Sequence, residues 1–249
     1  MCAVNWRPPS RAAEPHEFQV IPLRDHLASA RVPYVSYAVI GTCVLVFLWQ
    51  LSLGSVGGNE VVYALGAIPA VIFGEARLPA DIAMVPPLAT AFTSMFLHGG
   101  WMHLIGNMLY MWIFADNVED SMGHLRFAIF YLLCGVAAVL AQSLPDMSSQ
   151  VPMIGASGAI SGVLGAYLLL FPHARVLVMI PLGFVMKTHF LPAAGVLGFY
   201  FLFQVVMTAL TPPGGGGVAF AAHLGGFVAG AALIALFKRR GVPLFSRRR

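Results

Sequence analysis

Apolar residues of this chain are gathered into long stretches, which are separated by short segments that contain charged residues, proline or glycine. The stretches that we interpret as membrane-spanning helices cover residues 34–53, 102–114, 125–142, 153–171, 191–210 and 218–237. Several of them approach or exceed the roughly 18 to 20 residues that a helix needs to cross a bilayer. The pattern therefore predicts an all-α, polytopic membrane protein built as a bundle of six transmembrane helices.

Two further apolar segments lack the features of a membrane span. Residues 61–73 are short and are interrupted by glycine and proline, and residues 172–190 carry two prolines, an arginine and a lysine. We expect the first segment to lie in the interface or pack on the bundle, and the second to lie at the cytoplasmic interface. The predicted organisation is a loosely ordered cytoplasmic segment (residues 1–33), the membrane domain (residues 34–237) and a basic cytoplasmic tail (residues 238–249).

Composition agrees with a membrane protein and argues against several other classes. Of the 249 residues, 59% are hydrophobic and 10% are charged, whereas about a quarter of the residues in a soluble domain are charged. The three cysteines, Cys2, Cys43 and Cys134, are too few and too scattered for a disulfide framework or a cysteine metal site. The sequence also lacks the basic and aromatic pattern that is typical of nucleic-acid binding.

Lysine and arginine residues are concentrated at the two ends of the membrane domain. Basic residues beside membrane spans mark the cytoplasmic side. In the six-span arrangement all fourteen lysines and arginines except Arg77 fall on one side of the membrane. We therefore expect both termini to be cytoplasmic, in a plasma or inner membrane, with the basic tail suited to contact anionic lipid.

A serine stands among small residues near the predicted start of the fourth span, in the sequence Gly155-Ala156-Ser157-Gly158. Backbone N–H groups in the first turn of a helix have no acceptor within the helix. A hydroxyl beside such donors suits acyl-transfer chemistry, because the donors can bind a developing oxyanion. The same pattern is also typical of close helix packing without any chemistry.

Other polar residues of the membrane domain fall near the same depth as this serine. The second, fourth and sixth spans all enter from the outer face. Near their starts lie, in chain order, His98, His103, Asn107, Ser157 and His223. We expect Ser157 and His223 each to lie roughly 6–9 Å below the start of its helix. Ionisable residues within a bilayer are costly and usually serve a function.

Glycines are expected to bring the fourth and sixth helices together. Gly226 and Gly230 are four residues apart in the sixth span, and small residues at this spacing let helix backbones approach closely. Such an approach would place His223, as a base, within reach of Ser157 as a nucleophile. The fourth, fifth and sixth spans contain no acidic residue, so the pattern predicts a dyad rather than a triad.

These motifs, in this order and topology, resemble those of the rhomboid family of intramembrane serine proteases. The resemblance covers residues 34–237. It is carried by Gly155-x-Ser157-Gly158, His98-x4-His103-x3-Asn107, Glu119 with Gly123, and His223-x2-Gly226-x3-Gly230. It implies a six-helix bundle with a water-accessible cavity that opens to the outer face.

By this resemblance, Ser157 is the nucleophile and His223 the general base of an endopeptidase. Its substrates would be transmembrane segments of other membrane proteins, cleaved near the outer face. His103 and Asn107, four residues apart on one helix face, would donate to the oxyanion together with the Ser157 N–H. Structural roles are expected for His98, Gly155, Gly158, Gly226, Gly230 and Glu119. The resemblance implies no metal or other cofactor.

Two positions depart from the family pattern. Many members carry a Trp-Arg pair eight or nine residues before the position of His98, where this chain has Ala89 and Thr90. We therefore expect the first loop to pack differently. Four residues after the nucleophile the family often has an aromatic residue that stacks on the catalytic imidazole, and this chain has Ser161 there. Another side chain is then needed to hold His223.

Two alternative functions remain open at this point. His98, His103 and His223 could form a metal site or line an ion pathway, because three histidines bind zinc in some catalytic sites. The spacing of His98 and His103 is unfavourable for one helix face. Alternatively, a catalytically inactive relative of the family would bind membrane helices. Labelling by a serine-directed phosphonate distinguishes the protease from both.

Overall fold

The long helices follow the apolar stretches of the sequence in the computed structural model, which describes residues 2–3, 21–182, 185–211 and 217–246. The α-helices are α1 (Tyr34–Ser52), α2 (Gly54–Leu65), α3 (Pro69–Ile72), α4 (Thr90–Thr93), α5 (Trp101–Met122), α6 (His124–Ser143), α7 (Ser157–Leu170), α8 (Ala193–Leu210) and α9 (Phe220–Phe237). The strands are β1 (Cys2–Ala3), β2 (Ile21–Asp25), β3 (Ala76–Arg77), β4 (Arg175–Leu182) and β5 (Val185–Pro192). The predicted turn at residues 212–216, most of the predicted N-terminal segment and the last three arginines lie outside the described residues.

Among the residues that the structure describes, four helices are long and apolar enough to cross a membrane, namely α1, α6, α8 and α9. Helix α7 has 14 residues, is buried along most of its length and packs against α5, α6, α8 and α9. Helix α5 has 22 residues and contacts α1, α6 and α7. The chain is thus a predominantly helical membrane protein, and the count of six spans stays a prediction.

A small β-sheet makes the expectation of an all-α fold wrong in part. Strands β4 and β5 have eight residues each and form an antiparallel hairpin. Residues 172–190, which were expected only to lie at the interface, therefore contain most of a hairpin. Pro172 and Pro181 disfavour a helix there, and Val176 and Val178 alternate into the core as strand residues do. Strands β1 and β3 form a separate parallel pairing of two residues each.

The end of the predicted N-terminal segment is ordered, so the expectation of a loose segment is wrong for these residues. Strand β2 pairs antiparallel with β4 as the third strand of the sheet. Its last residue, Asp25, accepts hydrogen bonds from the Tyr167 hydroxyl of α7 (2.5 Å) and from the Asn117 amide of α5 (3.1 Å). These contacts anchor β2 to the helical bundle.

Helix α5 is longer than the sequence interpretation allowed. We expected the second span to end near Phe114 and a polar hairpin to follow, but the helix continues to Met122. It ends at Gly123, whose φ of 85° is a conformation that favours glycine. The polar residues 116–120 are therefore the last turns of a helix.

This extra length lets Glu119 cap the beginning of α1. Its carboxylate accepts hydrogen bonds from the N–H groups of Val35 (3.0 Å) and Ser36 (2.8 Å) and from the Ser36 hydroxyl (2.6 Å). These N–H groups have no acceptor within their own helix. Glu119 also lies 2.6 Å from His124 Nδ1 at the start of α6. One buried carboxylate thus joins three helices.

Helix α7 begins later than predicted. The fourth span was expected from Met153, but Met153 instead forms an isolated antiparallel bridge with Ala67, and the helix starts at Ser157. A φ of 121° at Gly155 is incompatible with a regular helix over these residues. Ser157 is the first residue of its helix, so the predicted depth of roughly 6–9 Å below the helix start is wrong for it.

The closest backbone contact of the bundle is between α7 and α9, where glycines of one helix face the other. A Cβ atom at Gly226 would overlap the carbonyl group of Gly158, and one at Gly230 would overlap the carbonyl group of Gly162. Small residues four apart permit such an approach. No larger side chain fits at either position of α9 without a shift of the backbone.

Replacing Gly230 by alanine should push α9 away from α7, because the new methyl group would overlap Gly162. Overpacking of this kind typically costs about 1–3 kcal/mol, so we expect a lower melting temperature in detergent micelles. Gly198→Ala in α8 is the matched control, since nothing lies within 4 Å of a Cβ atom there. A Gly230→Ala variant that melts with the control would contradict the close contact.

Burial raises the pKa of the Asp25 carboxyl from 3.8 to about 6; the Tyr167 hydrogen bond opposes this increase and the nearby Asp116 adds to it. The folded protein therefore binds the Asp25 proton more tightly than the unfolded chain does. Ionised Asp25 disfavours folding above about pH 6, and this effect disappears as the pH falls towards the unfolded value near 4.

Asp25→Asn should accordingly stabilise the protein at pH 7.5, by on the order of 1 kcal/mol given the partial exposure of the carboxyl. The gain should vanish near pH 4, because the carboxyl is then protonated in both states. Melting temperatures of the variant and the parent between pH 4 and pH 8 measure it. Asp81→Asn, at an exposed loop position, controls for the loss of one negative charge. A gain that is constant with pH would contradict the assignment.

Candidate active site

Ser157 and His223 meet at one end of the contact between α7 and α9. Ser157 is the first residue of α7, and His223 is the fourth residue of α9. The Ser157 hydroxyl oxygen lies 2.8 Å from His223 Nε2. The glycine contact controls this distance, because it sets the separation of the two helix backbones. The pair has the geometry of a nucleophile hydrogen-bonded to a base.

The second nitrogen of the His223 ring is hydrogen-bonded as well. Its Nδ1 atom lies 3.1 Å from Oε1 of Gln204 on α8, and Gln204 is only 4% exposed. An amide oxygen can only accept, so Nδ1 carries the proton and the unprotonated Nε2 faces the Ser157 hydroxyl. Gln204 is not among the residues predicted from the sequence, because only an acidic residue was expected to orient the imidazole.

Ser161, four residues after Ser157, contacts a side chain of α8. Ser161 donates its hydroxyl proton to the Ser157 carbonyl (2.8 Å) and lies 2.6 Å from the Tyr200 hydroxyl. Tyr200 of α8 thus contacts, through its hydroxyl, the residue that stands where the family pattern has an aromatic side chain. Tyr200 and Gln204 are four residues apart and share a helix face. Two polar residues at this spacing in an apolar helix are the signal that could have identified them.

His103 and Asn107 of α5 lie against Gly155, two residues before the serine. A Cβ atom at Gly155 would lie 2.7 Å from His103 Nε2 and 3.7 Å from Asn107 Nδ2. The Gly99 N–H donates to His103 Nδ1 (3.3 Å), so His103 carries its proton on Nε2. Asn107 is 8% exposed, and its Nδ2 group is buried without a hydrogen-bond partner among the described residues. Two side-chain donors therefore adjoin the backbone that leads to Ser157.

The backbone before the serine holds an unusual conformation that positions a further donor. Gly155 has a φ of 121°, and its N–H donates to the Ser94 carbonyl (2.9 Å). Ile160 donates its N–H to the Ala156 carbonyl (2.9 Å) at the start of α7. The N–H of Ser157 precedes this bond and has no acceptor within the helix, so it is available to an oxyanion.

His98 is buried in the loop before α5 and does not contact the serine. Its ring packs edge-on against His103, with centroids 5.1 Å apart. The Gln50 side chain of α1 accepts from the His98 N–H (3.0 Å) and donates to the His98 carbonyl (3.4 Å). Burial, with a smaller contribution from His103, lowers the pKa of His98 to about 4. The His98 ring is therefore neutral, and it packs against the His103 ring.

Threonine hydroxyls hold the loop that lacks the Trp-Arg pair of the family pattern. Thr90 is buried and donates to the Pro87 carbonyl (2.5 Å). Thr93 donates to the Leu65 carbonyl at the end of α2 (2.6 Å). Ala89 lies in the 3-10 turn that precedes α4. These two hydrogen bonds fix parts of the connection between α1 and α5 to each other.

The three histidines proposed above for a metal site do not share one cluster. His223 contacts Ser157 and Gln204, whereas His98 and His103 contact each other. Within the part of the chain that the structure describes, no group of three His, Cys, Asp or Glu residues is placed to hold a metal ion. The arrangement places a hydroxyl group, an unprotonated imidazole nitrogen and N–H donors together, which are the kinds of group that acyl transfer uses.

Comparison with known proteins finds relatives over most of the membrane domain. The family model described as "Rhomboid domain" matches residues 86–240, a range that includes Ser157, His223, Gln204, His103 and Asn107. Rhomboid protein 1, mitochondrial, of Saccharomyces cerevisiae is 30% identical over 188 residues, which are 69% of this chain and 51% of that protein.

Two other relatives match shorter regions. RHOMBOID-like protein 5 of Arabidopsis thaliana is 35% identical over 74 residues, which are 30% of this chain and 24% of that protein. Presenilin-associated rhomboid-like protein, mitochondrial, of Mus musculus is 26% identical over 132 residues, which are 51% of this chain and 34% of that protein. The chain spans about half the length of the yeast relative and less of the other two.

Proposed function

Because the chain belongs to the rhomboid family, we propose that it is an intramembrane serine endopeptidase that cleaves transmembrane segments of other membrane proteins. The observation that carries the proposal is the 2.8 Å contact between the Ser157 hydroxyl and His223 Nε2. The buried and unpartnered amide donor of Asn107 supports it, since such a group in an apolar bundle calls for an explanation.

The reaction begins as the Ser157 oxygen attacks the scissile carbonyl carbon and His223 Nε2 takes the hydroxyl proton. The new C–O bond produces a tetrahedral intermediate, whose negative oxygen accepts hydrogen bonds from the Ser157 N–H, His103 and Asn107. Its collapse breaks the peptide C–N bond, and the imidazolium gives its proton to the leaving amine. Water, deprotonated by His223, then hydrolyses the acyl-enzyme and restores Ser157.

Gln204 acts in this mechanism as a positioning residue. It accepts the Nδ1 proton of His223 and thereby keeps Nε2 directed at Ser157. A carboxylate in its place would stabilise the imidazolium more strongly, but burial of a charge is costly. A neutral amide fixes the tautomer without placing a charge inside the bundle.

The arrangement that we propose in the membrane has six spans, formed by α1, α5, α6, α7, α8 and α9, with both termini on one side. The asymmetry of the basic residues supports it. A plasma or inner membrane stays the predicted location, and the names of two relatives make a mitochondrial membrane the alternative.

Reporter fusions after Arg249 and within residues 212–217 should report opposite sides of the membrane. Finding both reporters on one side would contradict the six-span model.

The proposed activity is tested with purified protein and a substrate whose transmembrane helix has small, helix-breaking residues near its outer end. We expect cleavage without added metal and labelling by a fluorophosphonate. Ser157→Ala should abolish both, because it removes the hydroxyl that contacts His223. Asn107→Ala should lower kcat by roughly 100-fold and leave KM nearly unchanged, because an oxyanion donor acts mainly in the transition state.

Two outcomes would contradict the protease proposal. A folded protein that neither cleaves nor is labelled would instead be an inactive relative that binds membrane helices. Cleavage that a chelator abolishes, and that persists in Ser157→Ala, would indicate a metal-dependent reaction.

The positioning role of Gln204 predicts a specific kinetic effect. Gln204→Met keeps the size of the side chain but removes the acceptor, so kcat should fall roughly 10- to 100-fold with little change in KM. Gln204→Glu should recover part of the loss, because a carboxylate accepts the same Nδ1 proton. Steady-state rates and melting temperatures are measured on the same preparations, so that an effect on catalysis is distinguished from a loss of stability.

Gln142 provides a matched control for Gln204. Its side-chain oxygen accepts from the Ala222 N–H (3.1 Å), one residue before His223, and this contact does not involve the imidazole. Gln142→Met should therefore affect stability and leave kcat per folded molecule nearly unchanged. Equal losses of kcat in the two methionine variants would show that Gln204 has a structural role only.

A further inference from the structure

A cavity of about 790 Å³ lies at the end of the bundle opposite the dyad. It forms where the segment before α1, the corner between α5 and α6 at Gly123, and the end of α9 meet. Five of the residues that line it are cationic, namely Arg31, Arg126, Lys238, Arg239 and Arg240. The lining of the cavity is therefore strongly cationic.

Acidic residues neutralise only part of this charge. Asp120 lies 3.8 Å from Arg31 Nε and 3.2 Å from a terminal nitrogen of Arg239. The other three cations have no carboxylate within 4 Å in the described part of the chain. The Nε group of Arg239 is buried and has no hydrogen-bond partner among the described residues. The Arg239 side chain as a whole is 35% exposed, so other atoms of its guanidinium group can be reached by an acceptor from outside the chain.

Exposed apolar side chains adjoin the cavity. Leu236, in the last turn of α9, lines the cavity and is 77% exposed, and Leu125 beside Arg126 is 75% exposed. Cations thus stand directly beside apolar surface that would face acyl chains. Helix α9 continues from His223 to Phe237, so about 21 Å of helix separates the dyad from the residues of the cavity that follow α9.

We propose that this cavity binds the phosphate head group of an anionic phospholipid, with the acyl chains against the exposed leucines of α6 and α9. Guanidinium groups match phosphate oxygens in geometry as well as charge. The amino-terminal end of α6, which begins after Gly123, adds backbone N–H groups that favour an anion. A basic pocket between helix ends at a membrane surface is suited to such a lipid. The proposal is independent of the catalytic assignment.

The site is tested with the purified protein in detergent micelles, by measuring the apparent Kd for dioctanoyl-phosphatidylglycerol. Dioctanoyl-phosphatidylcholine and inorganic phosphate are the comparison ligands. We expect phosphatidylglycerol to bind roughly tenfold more tightly than either of them. The combined variant Arg126→Gln, Lys238→Gln, Arg240→Gln should lose most of this preference. It retains Arg31 and Arg239, whose contacts with Asp120 hold the helix ends together.

The combined variant Arg24→Gln, Arg175→Gln, Lys187→Gln is the matched control, because it removes the same charge from the small sheet instead. It should keep the preference for phosphatidylglycerol. An equal loss in both variants would overturn the site in favour of diffuse attraction to the basic surface. Inorganic phosphate that binds as tightly as phosphatidylglycerol would assign the cavity to a soluble anion and overturn the lipid. Equal binding of the two lipids would overturn the proposal altogether.

Discussion

Contact between the backbones of α7 and α9 is the constraint on which the rest of the site depends. Helices in a membrane gain little from hydrophobic association, so close packing must hold them together. Serine and histidine side chains are short, and a hydrogen bond of 2.8 Å between Ser157 and His223 requires helices that nearly touch. Glycines at 226 and 230 provide that approach. The same contact buries most of α7, which has 14 residues and is short for a membrane span.

Around the proposed dyad, neutral polar groups orient the neighbouring side chains, a role that charged groups have in soluble serine hydrolases. Gln204 orients the imidazole, Tyr200 reaches Ser161, and Gln50 holds the backbone of His98. An amide or a hydroxyl that is hydrogen-bonded costs far less to bury than a carboxylate does. The five cations of the cavity and the carboxylates of Glu119 and Asp120 stand at the opposite end of the bundle, where the buried Glu119 carboxylate binds the start of α1. The dyad is thus separated from this cluster of charges.

The sequence predicted features that rest on local patterns and missed those that rest on tertiary contacts. Long apolar runs identified the helices, and the glycine spacing suggested the approach of Ser157 and His223. The strand that ends at Asp25 could not be predicted, because its partners lie 92 and 142 residues further along the chain. Gln204 was overlooked because its role depends on which face α8 turns to the bundle. The hairpin within residues 172–192 was obscured because apolar strands and interfacial helices share a composition.

The hydrogen bonds of Glu119 constrain when α1 can dock during synthesis of the chain. Its carboxylate satisfies the first turn of α1, yet it is synthesised 83 residues after Ser36, the residue that it caps. At roughly 5–20 residues per second, on the order of ten seconds pass between the two. Throughout that interval the N–H groups in the first turn of α1 lack their acceptor in the protein, so water or lipid head groups must accept their hydrogen bonds. Final docking of α1 therefore waits for the emergence of α5, the helix that carries the capping carboxylate.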